Sequence, residues 1–252
     1  MGRERLHVIT HPDKLSLPVK GVLVEAHFDD KAMAEIDGSL AQKTGLTVVS
    51  LTDGAARDLP HFTPQQLRFG RRQEQIDSVQ ILGGAQLVGA DLPDGLLSEY
   101  LVEGTQFLDE IVRNEKPDFL IAPNPRDPHP DHRAAAAITK IVADGEIPIY
   151  YMDTISGYDM DGNEVIPTHY IPLTRRDVRR RRRSYLAHTS QVEDLPYIEL
   201  RDVFRVLDMP RRRGRDIDRQ FAGAVIFESA RNGQDPLADI FKHSIKIKSP
   251  SF

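Results

Sequence analysis

Two short stretches of this chain concentrate the side chains that hold metals and move protons. The first is EAHFDD, residues 25–30, where His27, Asp29 and Asp30 follow an apolar run. The second is HPDH, residues 129–132, with His129, Asp131 and His132. Two adjacent aspartates repel each other and suit a strand poorly, so their placement points to a positive charge beside them. His27 and Asp30 are three residues apart. A chain that turns into a helix after Phe28 brings them onto one face and aims Asp29 elsewhere. Pro130 holds His129 extended, and His132 opens a helix. Two imidazoles and one carboxylate drawn from these stretches make the donor set of a catalytic zinc with positions left open for water and substrate. A Pro-Asp turn that caps the following helix through Asp131 accounts for HPDH without any metal. Each stretch alone is a weak signal. Both falling at strand ends of one sheet is harder to reach by accident.

The elements that must position these residues are legible in the apolar pattern. VKGVLVEAH (19–27) reads as a buried strand, AMAEIDGSLAQKTG (32–45) as a helix stopped by Gly45, and LTVVSLTDG (46–54) as a second strand. Together they have the size of a βαβ unit. Helical patterns follow at 64–84, ending on Gly83 and Gly84, at 101–117 and at 132–145. Residues 85–95, 117–125 and 147–154 read as strands. Strands alternating with helices predict an α/β fold, a mostly parallel sheet with helices on both faces. Functional loops of such a sheet lie at the carboxyl ends of its strands, where His27–Asp30 and Asn124–His132 fall. No Gly-x-Gly-x-x-Gly follows the first strand, so no dinucleotide site is expected. A final strand is expected at 221–230. With no linker and no repeat, residues 1–252 read as one domain, a core at about 20–155 and a C-terminal extension at 156–252.

Composition excludes several classes. There is no cysteine, which removes disulfides and thiolate metal sites, so any metal must use His, Asp or Glu. The net charge of −5 argues against a nucleic-acid partner. No apolar run is long enough for a transmembrane segment, and the N-terminus lacks a signal-peptide core, so a cytoplasmic location is expected. RRDVRRRRRSYLAH (175–188) allows a phosphate or nucleic-acid partner, or simply a solvated helix face. No aromatic platform accompanies its arginines. Oligomeric state is not encoded in any pattern, and a homo-oligomer is compatible with all of them.

AHFDD followed about a hundred residues later by HPDH resembles the LmbE/PIG-L family of zinc-dependent N-acetylglucosaminyl deacetylases. LTDG (51–54), RRQEQIDSVQILGG (71–84), LPDG (92–95) and YLAHTSQ (185–191) resemble further family elements. The resemblance implies a Rossmann-like deacetylase fold and hydrolysis of an N-acetyl or other N-acyl group on an amino sugar or glycoconjugate. It implies one zinc per chain, with other divalent metals admitted by the same donors, on His27, Asp30 and His132. Asp29 would be the general base, His129, if protonated, would stabilise the oxyanion, and Asp131 would orient His129. Arg71 and Asp94 would grip sugar hydroxyls, and Arg126 would touch substrate or be a plain surface charge. The chain departs from the family where Phe28 replaces a proline, Lys31 a glutamate, and KAMAEIDGS a glycine pair. Two other readings stay open. One is a zinc-dependent hydratase of an unsaturated carboxylic acid, favoured if arginines converge on the metal. The other is a non-catalytic metal-binding protein.

Overall fold

The computed structural model describes residues 19–28, 30, 37–56, 62–83, 85–154, 157–192, 200–241 and 246–247. Five parallel strands lie in the order β3-β2-β1-β4-β5: β1 (Lys20–Glu25), β2 (Gly45–Thr52), β3 (Gln86–Leu92), β4 (Phe119–Ala122) and β5 (Ile149–Met152). Two later strands, β6 (His169–Pro172) and β7 (Ala222–Glu228), continue the sheet antiparallel, β7 against β5 and β6 against β7. The two-residue β8 (Lys246–Ile247) pairs with β6.

Alternate residues of β1 face opposite sides of the sheet and all but the first are buried, so both faces are covered. Val22 and Val24 join a core with Leu108 and Ile111 of α3 (Leu101–Glu115) and with Ala135 and Ile138 of α4 (Pro130–Ala143). Leu23 points the other way, into a core with Leu40 of α1 (Asp37–Leu40) and with Val79 and Leu82 of α2 (Pro64–Leu82). Strands buried on both faces are the habit of parallel sheets, and each fully buried Val or Leu contributes about 1.5–3 kcal/mol. Helix α2 opens with a capping box between Thr63 and Gln66 and closes on Gly83, whose φ of 91° suits glycine. Gly104 lets α3 lie close on α4: a Cβ there would sit 2.7 Å from Ile138 Cδ1. That contact buttresses the helix that carries His132.

Four further helices follow: α5 (Arg175–Leu186), α6 (Thr189–Val192), α7 (Leu200–Arg215) and α8 (Pro236–Ile240). The expected helix at 32–45 is helical only over 37–40 within the described residues, and Gly45 begins β2 instead of stopping a helix. There Gly45 N–H donates to Val19 O, an edge bond of the β1–β2 ladder. Helix α4 starts at Pro130, two residues before His132, because the proline ring suits the first helical position. Among the described residues no helix is long and apolar enough to cross a membrane.

The strand order reverses between β1 and β4, since the chain leaves β1 toward β2 on one side and returns to β4 on the other. A crevice therefore opens outside their carboxyl ends. The loop from His27 to Asp30 lies on one side of it and the loop from Asn124 to His129 on the other.

Candidate metal centre

The chain turns as soon as β1 ends. His27 N–H donates to Asp30 Oδ2 at 2.8 Å, and Asp30 Oδ1 lies 3.1 Å from His27 Nδ1. From the far side of the crevice, His132 Nε2 reaches the same Oδ1 at 3.0 Å. One carboxylate oxygen is thus shared by two imidazoles that are more than a hundred residues away from each other in sequence. All three side chains are buried.

Burial by itself would disfavour charge on all three, yet their mutual attraction wins. Asp30 is held well below the usual carboxylate range by His132 and His27. His27 is raised well above the ordinary imidazole value by Asp30, with help from Asp131 and Asp94. His132 is pushed up to about 10 by Asp30 and Asp127. Its Nδ1 lies 2.9 Å from Asp127 Oδ1, off the line of a hydrogen bond. Two imidazoles and a carboxylate converging in a buried crevice fit a divalent cation.

His129 is the N-cap of α4, and its Nδ1 accepts the backbone N–H of Asp131 at 3.2 Å. The ring proton therefore sits on Nε2. Burial, then the positive charges of His27 and His132, lower its pKa, so this histidine is a neutral donor. Its ring lies 4.8 Å from that of His27 and 4.7 Å from that of His132, centroid to centroid. Donor atoms of these three histidines fall within 4.8 Å of one another, as do those of His27, Asp94 and Asp131.

Asp131 does not cap the helix, which excludes the metal-free explanation of HPDH through that residue. Its carboxylate is fully buried and accepts Gly95 N–H at 2.7 Å and Leu97 N–H at 3.2 Å. It also lies 3.3 Å from His27 Nε2. The resemblance assigns Asp131 to His129, but the carboxylate meets His27. As the second residue of α4 it turns inward beneath the loop after β3, and only its backbone reaches the cap. Asp94 Oδ1 lies 3.0 Å from the same His27 Nε2, while its Oδ2 accepts Ala56 N–H at 2.9 Å. His27 thus shows Nδ1 to Asp30 and Nε2 to two carboxylates, the kind of outer support that fixes the tautomer of a ligating imidazole.

Arg71 is buried, and its guanidinium donates to the carbonyl of Gly54, a residue at φ 62° in the turn after β2. Arg126 leaves the crevice to pair with Asp159 at 2.8 Å and with Asp161. Phe28 is fully buried, with Arg72 over its ring at 5.8 Å, so it fills space beneath the loops. Asp29 and Lys31 lie outside the described residues. Asp127, which no motif singles out, also accepts His129 N–H on Oδ1 at 2.8 Å. An aspartate two residues ahead of a helix-capping histidine was the available signal.

The family model described as GlcNAc-PI de-N-acetylase, PIG-L, matches residues 22–143. That span runs from β1 to the end of α4 and contains both histidine clusters. No curated protein sequence matches the chain. Among solved structures, N,N'-diacetylchitobiose deacetylase from Pyrococcus horikoshii, complexed with an inhibitor, is similar with a TM-score of 0.69 and 20% identity, covering 83% of each chain. A deacetylase of the antimicrobial A40926 pseudoaglycone is similar with a TM-score of 0.66 and 15% identity, over 83% of this chain and 97% of that one. The zinc inhibited form of a teicoplanin deacetylase is similar with a TM-score of 0.67 and 12% identity, over 92% of this chain and all of that one. These likenesses are likenesses of fold, and the match to the PIG-L family model covers residues 22–143, from β1 to α4, with both histidine clusters inside it.

Proposed function

We propose that this protein is a metal-dependent hydrolase that removes an N-acetyl or other N-acyl group from an amino sugar or glycoconjugate. The observation that carries the reading is the shared Asp30 oxygen, held between His27 and His132 at the switch point of the sheet. In the proposal His27, Asp30 and His132 hold one divalent metal, zinc by default. When bound, such an ion acidifies water toward neutrality and polarises a carbonyl. Asp29, next to Asp30 in the chain, takes the proton of the attacking water. The neutral Nε2–H of His129 donates to the oxygen on which negative charge develops as the amide carbon becomes tetrahedral. Collapse breaks the C–N bond, and the proton held by Asp29 passes to the departing amine.

Asp94 and Asp131 act through His27, keeping its Nδ1 free for the metal. Arg71 holds the turn after β2 and so shapes the wall beside Asp94. The acylated sugar would enter over this wall. The hydratase reading needs arginines converging on the metal to hold a polycarboxylate. Arg71 is committed to Gly54 and Arg126 to Asp159 and Asp161, which supports the hydrolase instead.

The test is a panel of N-acetylated amino sugars and glycoconjugates, scored for free amine and acetate with and without a chelator. Chelator-sensitive release of both products in equal amounts is expected. Hydration of an unsaturated acid with no amide hydrolysis would overturn the proposal.

A further inference from the structure

The run of arginines in α5 is not used by the metal centre. Seven of its twelve residues are arginine, and Arg176, Arg179, Arg180 and Arg183 fall at i, i+3, i+4 and i+7, one stripe of the helix. Their spacing puts like charges beside one another, which destabilises a helix. Together with Ile81 they line a groove of about 600 Å³ between α5 and α2. Arg180 donates to Gly38 O at 2.8 Å, but the guanidinium groups of Arg176, Arg179 and Arg183 make no hydrogen bond or ion pair among the described residues. Asp177, the acidic residue in this helix, accepts from Thr174 at the N-cap through Oδ2, and its Oδ1 lies 3.7 Å from Arg180, so it offsets one charge of the stripe. Ile81 lies in the last turn of α2, and α2 leads from the carboxyl end of β2 to the start of β3. The Ile81 end of the groove therefore lies toward the amino ends of the strands, whereas the metal centre lies at their carboxyl ends.

We propose that this stripe binds a small anion carrying two or more phosphate groups, at a site separate from the metal centre. Guanidinium forks match phosphate oxygens two at a time, and a phosphate chain would cancel the repulsion that the bare stripe carries. The groove has the volume of a small-ligand site. The stripe extends only about 10 Å along the helix, too short to track a nucleic-acid backbone, and the net charge of −5 opposes that partner. A membrane surface would need an apolar face turned outward, whereas Val178 and Tyr185 of α5 pack inward. The proposal is independent of the hydrolase reading.

Isothermal titration of the full chain with inorganic tripolyphosphate, orthophosphate, a short single-stranded oligonucleotide and phosphatidylserine vesicles separates the sources. Expected is one tripolyphosphate per chain, bound at least about ten-fold more tightly than orthophosphate and weakened as salt rises from about 50 to 200 mM. The double variant R179Q/R183Q should lose about ten-fold or more of that affinity. It should keep or gain thermal stability, because it removes repulsion from an exposed face. Tripolyphosphate binding that is absent, or unchanged in R179Q/R183Q, overturns the site. Tighter binding of the oligonucleotide or the vesicles than of tripolyphosphate also overturns it, in favour of a macromolecular surface.

Discussion

Asp131→Asn isolates the support of His27 from every contact with substrate. In the wild type Oδ2 accepts Gly95 N–H at 2.7 Å and faces His27 Nε2 at 3.3 Å, while Oδ1 accepts Leu97 N–H at 3.2 Å. An asparagine has one acceptor oxygen and one donor amide. Its best orientation keeps the oxygen toward Gly95 and His27 and turns the amide against Leu97 N–H, so a buried donor meets a donor at a cost of about 1–3 kcal/mol. His27 also exchanges a charged acceptor for a neutral one, which removes roughly 1 kcal/mol more. The sum is about 2–4 kcal/mol. For a chain of this length each kcal/mol moves the midpoint by roughly 2–4 °C, so Tm should fall by about 4–16 °C. The melts are run in excess chelator so that metal binding does not add to the stability of either protein. Zinc affinity, measured by competition with a chromogenic chelator, should fall about 10–100-fold because the tautomer of His27 is no longer fixed. If Asp131 served His129 instead, zinc affinity would hold while kcat fell. A variant with wild-type Tm and wild-type zinc affinity would refute the assignment to His27.

Elemental analysis of His132→Ala should find most of the bound metal gone, and full occupancy would remove His132 from the ligand set. Asp29→Asn should retain metal and lose about 10²–10⁴-fold in kcat/KM, whereas Asp30→Asn should lose metal as well. Equal metal contents in the two variants would refute that division of labour. Away from the crevice, burial raises the carboxyl of Asp235, but hydrogen bonds with His169 and Tyr150 outweigh it and leave the folded pKa below the model-compound value of 3.8. A depressed carboxyl contributes stability above its unfolded pKa and loses it as pH falls through the folded one. Asp235→Asn should therefore be less stable than wild type at neutral pH, with the gap closing below about pH 4. A urea-denaturation series that shows a constant gap across this range would contradict the pairing.

Much of the scaffold was written in local pattern. Apolar runs such as GVLV and FLIA can be buried only in a sheet covered on both faces, and the four-residue alanine run after His132 favours helix wherever it lies. Those signals put both histidine clusters at strand ends, and because β1 and β4 are neighbours the clusters share one crevice. The sequence did not reveal β6, whose four residues are too few for periodicity, nor α7, where Pro210 interrupts a helical pattern. Partner choice was equally silent. Asp131 sits beside His129 in the chain, yet its side chain leaves the first turn of α4 toward the loop after β3 and meets His27. Asp127 reaches His132 from a loop whose composition marks it only as polar, and Asp94, which LPDG singles out as a substrate residue, meets His27 instead. The arginines of α5 allow either an anionic partner or a solvated face by sequence alone, and only the packing of α5 beside α2 places four of them around a groove with Ile81. Residue type and helical or strand period are local properties and survive in a single sequence. Which carboxylate faces which imidazole depends on where separate strand ends are brought together, and that is decided only when the sheet is assembled.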